Sequence, residues 1–269
     1  MEQPQILLTN DDGIRSPGLW MAASKLSQIG YVNVAAPRDQ LSGAGRSLPS
    51  SSDGLISIQT MEVNGKTWQV YAVGASPAQV VLHAVLEIMP RKPDLVVSGI
   101  NYGENVGTGI TVSGTVGAAL EAAAMGIPAM AISLETCPEY HLSYSTDIDF
   151  SVAGHFAVYF GQILLKHCLP PDVDVLKVDI PSDATIDTPW TITRLSRAPY
   201  YEPLPPKRAS WNEPSSIPYR VADQPSDMEQ DSDIYVLRAR RMISVTPLSL
   251  DLTSRVDLND LDHLLRSYI

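Results

Sequence analysis

Asp11 and Asp12 stand side by side in "LLTNDDGIRSPGL", just past an apolar run. Adjacent like charges repel, so the pair needs a reason. A simple turn is one, because Asp and Gly both favour turns. A hard divalent cation shared between two carboxylates is another. Ser16, followed by Pro17, reads as the cap of the next helix, which removes capping as a need for the acids. Two more oxygen donors stand in polar loops: Ser42 in "SGAGRS" and Asn101 in "SGINYGENVG". Singly, Ser42 reads as a loop serine and Asn101 as an Asx turn. Both also offer neutral oxygen to such a cation.

"TVSGTVGAALEAAAMG" carries a second signal. Ser113, Gly114 and Thr115 stand where an Ala-rich helix begins. Free N–H groups and the positive end of the helix dipole favour an anion there, and Gly lets it come close. Capping by Ser113 or Thr115 uses the same residues. Other chemistries lack their motifs. There is no P-loop lysine pattern and no G-x-S-x-G elbow. The five histidines lack metal-ligand spacing, and Cys137 and Cys168 form neither a zinc motif nor a disulfide framework.

The elements that position these residues follow from periodicity. Residues 5–10 and 32–36 read as strands around a helix ended by Gly30, a β-α-β opening that implies a parallel sheet. A hairpin follows at 55–63 and 67–73 around Asn64-Gly65. Strands are expected at 95–100, 128–134 and 173–180. Helices are expected after Ser76 and Ser113 and over 149–168. Residues 234–249 read as strand-like and 258–269 as an amphipathic helix. Residues 189–232, rich in Pro, Ser, Tyr and Trp, read as an extended arm. In a parallel sheet, ligands bind beyond the carboxyl ends of the strands, which is where all three polar segments fall.

Composition excludes other classes. The 269 residues carry 19 Lys+Arg against 30 Asp+Glu, a net charge of −11. That charge repels a nucleic-acid polymer. A metal ion inverts the local field and admits a small anionic substrate. The apolar stretch 116–132 is broken by Glu121, Gly126 and Pro128, so no membrane span is expected. With neither a basic start nor a cleavage-like site, the expectation is a cytoplasmic protein.

Five blocks together resemble the SurE family, the survival-protein nucleotidases. They are "LLTNDDGIRSPGL", "SGAGRSL", "PDLVVSGINYGENVG", "SGTVGAALEAAAMGIPAMAIS" and "SVTPLSLDLT", in family order. The resemblance implies a metal-dependent phosphatase acting on nucleoside monophosphates, a 5'-nucleotidase with 3'-nucleotidase activity as an extension. It implies a Rossmann-like three-layer α/β core over 1–185, with a mostly parallel sheet. Residues 186–269 would form an extended C-terminal part that builds a homodimer or tetramer. It implies one divalent ion per subunit, Mg²⁺ or Mn²⁺, on Asp11, Asp12, Ser42 and Asn101. Hydrolysis would use metal-activated water, with Asp11 or Asp12 taking its proton. Asn105 would orient the phosphate, and Ser113, Gly114 and Thr115 would meet its developing charge. Departures from the family pattern, Arg38-Asp39 and "RRM" before "SVTPL" among them, leave the four ligand positions untouched. Two other readings are a nucleotide-binding module without hydrolysis and an interaction protein built on the aromatic C-terminal half. Retention of all four oxygen ligands favours the enzyme.

Overall fold

The structure is a computed structural model that describes residues 3–63, 65–223 and 228–267. The chain runs β1 (Gln5–Thr9), α1 (Pro17–Leu26), β2 (Tyr31–Pro37), β3 (Ile56–Val63), β4 (Lys66–Val73) and α2 (Pro77–His83). It continues through β5 (Leu95–Tyr102), α3 (Gly114–Ala124), β6 (Ala129–Leu134), α4 (Ser151–Lys166) and β7 (Val175–Ile180). The last third holds β8 (Trp190–Ile192), β9 (Tyr201–Pro203), β10 (Tyr219–Val221), α5 (Asp233–Arg238), β11 (Ile243–Leu248) and α6 (Leu258–Arg266).

Among the described residues one nine-stranded sheet runs β3-β4-β2-β1-β5-β6-β7-β11-β8. The six strands from β4 to β7 pair in parallel, while β3 and β11 join antiparallel to β4 and β7. Central strands are apolar on both faces because both faces are covered. Ile6 and Leu8 pack with Leu19, Leu26, Phe156 and Phe160 of α1 and α4. Leu7, between them, packs with Val80, Val81, Val116 and Ala119 of α2 and α3. This is the three-layer α/β architecture expected. Each large apolar side chain so buried contributes about 1.5–3 kcal/mol.

Three readings need correction. Ser16 occupies the N-cap position of α1, but its hydroxyl makes no cap bond and is buried with no hydrogen-bond partner among the described residues. The helix start is pressed onto β5: a Cβ on Gly18 would stand 2.2 Å from Ile100 O. Residues 234–249 are not all strand. Ser232 accepts from Tyr235 N–H and caps the short helix α5 before β11 begins. The aromatics of the arm are partly absorbed by their own fold. Tyr200 is fully buried with Val106, Ile234 and Leu237, and Trp190 meets Phe160 at 5.6 Å between ring centres. Trp211 remains 92% exposed. Asn64 of the hairpin turn, and residues 268–269 of the expected terminal helix, lie outside the described residues. No helix among the described residues is long and apolar enough to cross a membrane.

Candidate active site

β1 ends at Thr9, and Asn10 makes the turn that follows. Its Oδ1 accepts from Gly13 N–H at 3.1 Å and its amide donates to Gly13 O at 3.2 Å. Gly13 has φ +92°, a conformation that glycine adopts without strain. The turn is therefore satisfied by Asn10, and the carboxylates of Asp11 and Asp12 are not spent on it.

Both acids are buried. Asp11 Oδ1 accepts the Thr115 hydroxyl at 2.5 Å. Asp12 Oδ2 accepts Tyr102 N–H at 3.2 Å and its Oδ1 accepts Gln40 Nε2 at 2.9 Å. Burial pushes the Asp11 carboxyl above the usual range, against the hydrogen bonds that pull it down. Burial pushes Asp12 well above it, and the neighbouring Asp11 charge adds to the rise. Among the described residues no Lys, Arg or His pairs with either acid. Nor is there any cluster of three or more His, Cys, Asp and Glu fit to hold a metal. A cation bound here would rest on two carboxylates and neutral oxygens.

Asn101 supplies one. Its amide donates to Gly103 O at 2.6 Å and to Tyr102 O at 3.2 Å, which turns Oδ1 toward Thr115 Oγ1 at 3.2 Å. Thr115 has a single hydroxyl proton, and the shorter bond goes to Asp11. Asn101 Oδ1 thus remains an acceptor beside the two acids. Ser42 is exposed, and Leu41 N–H donates to Asp11 O at 2.8 Å, so the 38–54 loop is tied to the acid pair one residue before Ser42. These oxygens would suit a hard divalent cation: two carboxylates, neutral acceptors and, among the described residues, no Lys, Arg or His paired with the acids.

The start of α3 faces Asp11. A Cβ on Gly114 would stand 2.6 Å from Asp11 Cβ and 2.8 Å from its Oδ2. The hydroxyl of Ser113 is committed to the cap and accepts Val116 N–H at 3.1 Å. The carboxylate of Asp11 thus lies against this helix start. Asn105 is held elsewhere in the same loop cluster. Its N–H donates to Asp179 Oδ1 at 2.8 Å and its amide to Ser133 Oγ at 2.9 Å, with no bond to Asp11 or Asp12.

Several residues of the site escape the sequence reading. Gln40 bridges Asp12 and His141 O, the latter at 2.7 Å, and nothing in its sequence context marks it. Lys177 and Asp179 form a buried ion pair in β7, with Asp233 as a second acid. The available signal is a Lys and an Asp two positions apart, on one face of an apolar strand. Glu104 is buried; its Oε1 accepts the Tyr200 hydroxyl at 2.5 Å while its Oε2 has no hydrogen-bond partner among the described residues. Burial raises its pKa to about 7. A cavity of about 390 Å³ flanks the 38–54 loop, lined by Arg38, Asp39, Leu41, Ala44, Asp53 and Ser76.

The family model for the Survival protein SurE matches residues 6–202. The chain belongs to the SurE family. It is 41% identical over 263 residues to the 5'-nucleotidase SurE of Thermococcus gammatolerans, covering 97% of this chain and 96% of that protein. Its identity to the 5'-nucleotidase SurE of Methanosarcina mazei is 37% over 270 residues, covering 97% and 98%. The crystal structure of the SurE protein from Aquifex aeolicus superimposes with a TM-score of 0.74 at 29% identity, over 97% of this chain and 100% of that one. Every candidate ligand and phosphate-binding residue lies within the SurE match; Asp233 lies beyond it.

Proposed function

We propose that this SurE-family chain is a metal-dependent 5'-nucleotidase that hydrolyses nucleoside monophosphates to nucleoside and phosphate. One observation carries the reading. Two buried, adjacent carboxylates stand at a strand end with their turn already satisfied by Asn10 and no protein cation beside them. The names of the SurE relatives support the substrate class.

Asp11, Asp12, Ser42 and Asn101 are the residues that would hold the ion, Mg²⁺ or Mn²⁺. Such an ion supplies charge to phosphate oxygens and lowers the pKa of water. The remaining roles belong to the chain itself. Thr115 and Gln40 fix the two carboxylates. Ser113, Gly114 and Thr115 present the positive end of α3 to the phosphate, beside Asp11. Asn105 orients the phosphate from the loop after β5. One of the two acids takes the proton of the attacking water. Residues 1–185 act as the catalytic core. Residues 186–269 act in assembly of a homodimer or tetramer, a reading supported by the exposed apolar side chains of α6.

The experiment is phosphate release from a panel of nucleoside 5'- and 3'-monophosphates, with Mg²⁺ or Mn²⁺ and with EDTA. Release from 5'-monophosphates that EDTA abolishes is expected. Tight nucleotide binding with no release under any metal would replace the enzyme by a binding module.

A further inference from the structure

Asn105 is gripped from residues far away in sequence. Its own N–H donates to Asp179 Oδ1 at 2.8 Å. Two residues on, Gly107 N–H donates to Asp233 Oδ2 at 3.0 Å. Lys177 Nζ bonds Asp179 Oδ2 and lies 3.3 Å from Asp233 Oδ2. These three side chains are at most 1% exposed. One Lys faces two Asp side chains, so a fully ionised cluster carries an excess negative charge inside the protein. Such a charge persists only where dipoles meet it. The dipoles here are backbone N–H groups of Asn105, Gly107, Ser196 and Ile234. Two of those four belong to the loop that carries Asn105.

Packing closes the same contact. Gly107 has φ +58°, and a Cβ there would stand 2.6 Å from Ala198 O and 2.8 Å from Ile234 Cδ1. The C-terminal third therefore sits directly on the loop. On the other side of Asn105, Glu104 takes the Tyr200 hydroxyl.

We infer that Lys177, Asp179 and Asp233 are positioning residues for Asn105. Through them the C-terminal third, including a residue beyond the family match, sets the phosphate-orienting loop. The inference rests on the nucleotidase reading for the role of Asn105, though not for the clamp itself. The cluster's hydrogen bonds and ion pairs go to the 105–107 loop and not to Asp11 or Asp12, so its effect is expected on phosphate rather than on the ion.

Asp233→Asn and Asp179→Asn test it. Each acid has N–H donors on both oxygens, and an Asn has one oxygen, so one donor set is left facing an amide. Each variant also leaves one Lys and one Asp, a balanced pair, which favours folding. Amide hydrogen exchange reads the clamp without activity. Exchange over 103–108 should rise about tenfold or more, the scale expected for losing a hydrogen bond to a charged group, while 10–14 stays unchanged. Kinetics read the role. KM for a nucleoside monophosphate and the inhibition constant of inorganic phosphate should rise about tenfold, on the same hydrogen-bond scale, with half-activation by Mn²⁺ unmoved. In an Asn105→Ala background Asp233→Asn should add nothing further. Unchanged loop exchange in both variants, or a full additional loss on top of Asn105→Ala, would overturn the inference. An inactive wild-type chain would remove the nucleotidase reading, and the exchange arm would still decide whether the cluster holds the loop.

Discussion

Thr115 gives its one hydroxyl proton to Asp11 across 104 residues of sequence, at 2.5 Å. The bond joins the start of α3 to the end of β1 and leaves Asn101 Oδ1 an open acceptor. Thr115→Val keeps the shape and removes the proton. Its cost in stability should be about 1–3 kcal/mol, since a buried carboxylate oxygen loses its donor. The activity expected of the site should fall by about tenfold or more, by analogy with losing a partner that orients a metal ligand. Thermal melts and phosphate release with Mn²⁺ check this. Wild-type turnover in a folded Thr115→Val would remove Thr115 from the site.

Asp12→Asn separates the metal reading from a structural one. If the acids served the turn, the substitution would cost stability. The turn belongs to Asn10, and Asp12 is a buried acid pushed up by burial and by Asp11. Without added metal, the variant should melt no lower than the wild type, because an unpaired buried charge has gone. With metal, activity should drop about 100-fold or more as a charged ligand is lost. Isothermal titration with Mn²⁺ should show weakened binding. Full affinity in the variant would count against the proposed centre.

Gln40 holds Asp12 from the side of His141, through two bonds from one amide. Gln40→Leu should leave the fold intact and raise the Mn²⁺ concentration for half-activation by about 10–100-fold, the usual penalty for losing a partner of a ligand. An unchanged activation curve would show that Tyr102 N–H suffices to orient Asp12.

Much of this is legible in the sequence, for physical reasons that also explain the gaps. Apolar patterns report burial directly, so β1, β5 and α3 fall within a residue or two of where those patterns put them, while α1 ends at Leu26, short of the stop expected at Gly30. Asp11 and Asp12 stand out because adjacent acids violate simple electrostatics. Ser113 and Gly114 are legible because helix starts have local chemistry. Gln40 is not, since its role depends on His141 O, 101 residues away. Asp233 is hidden because Ile234, Val236 and Leu237 suggest a strand, whereas Ser232 caps a short helix. The placement of Asn105 depends on β7 and α5, elements that only the folded sheet brings beside it.

Glu104 sets a pH dependence of stability. Its pKa rises from 4.5 unfolded to about 7 folded, chiefly through burial. The folded state therefore binds the proton more tightly. Between the two values, stability falls as pH rises, and above about 7 this group adds no further slope. The contribution is fully present below pH 4.5 and amounts to a few kcal/mol, since each tenfold gain in proton affinity is worth about 1.4 kcal/mol. Glu104→Gln keeps an acceptor for the Tyr200 hydroxyl and removes the charge. Its melting temperature should vary less than the wild type's between pH 4.5 and 7, and should lie above it at pH 8. Parallel curves for the two proteins would show that Glu104 does not titrate in this window.

α6 turns its leucines to solvent. Leu258, Leu264 and Leu265 are 60%, 53% and 62% exposed, and Leu252 before the helix is 92% exposed. Every described residue of α6 is exposed, although its leucines recur at helical spacing. A helix of nine residues, even with Asp257 capping it and Asp262 paired to Arg266, is too short to persist alone in water. Burying these leucines would contribute about 1.5–3 kcal/mol each. A second copy of the chain offers the same stripe, and a two-fold contact would bury one against the other. Light scattering at micromolar concentration should give a mass of two or four chains. Leu261→Asp combined with Leu265→Asp should yield monomers and lower the helical signal in circular dichroism. The acids and Thr115 all precede this region, so the monomeric variant should still bind Mn²⁺. A wild-type chain that scatters as a monomer would leave α6 without its proposed partner.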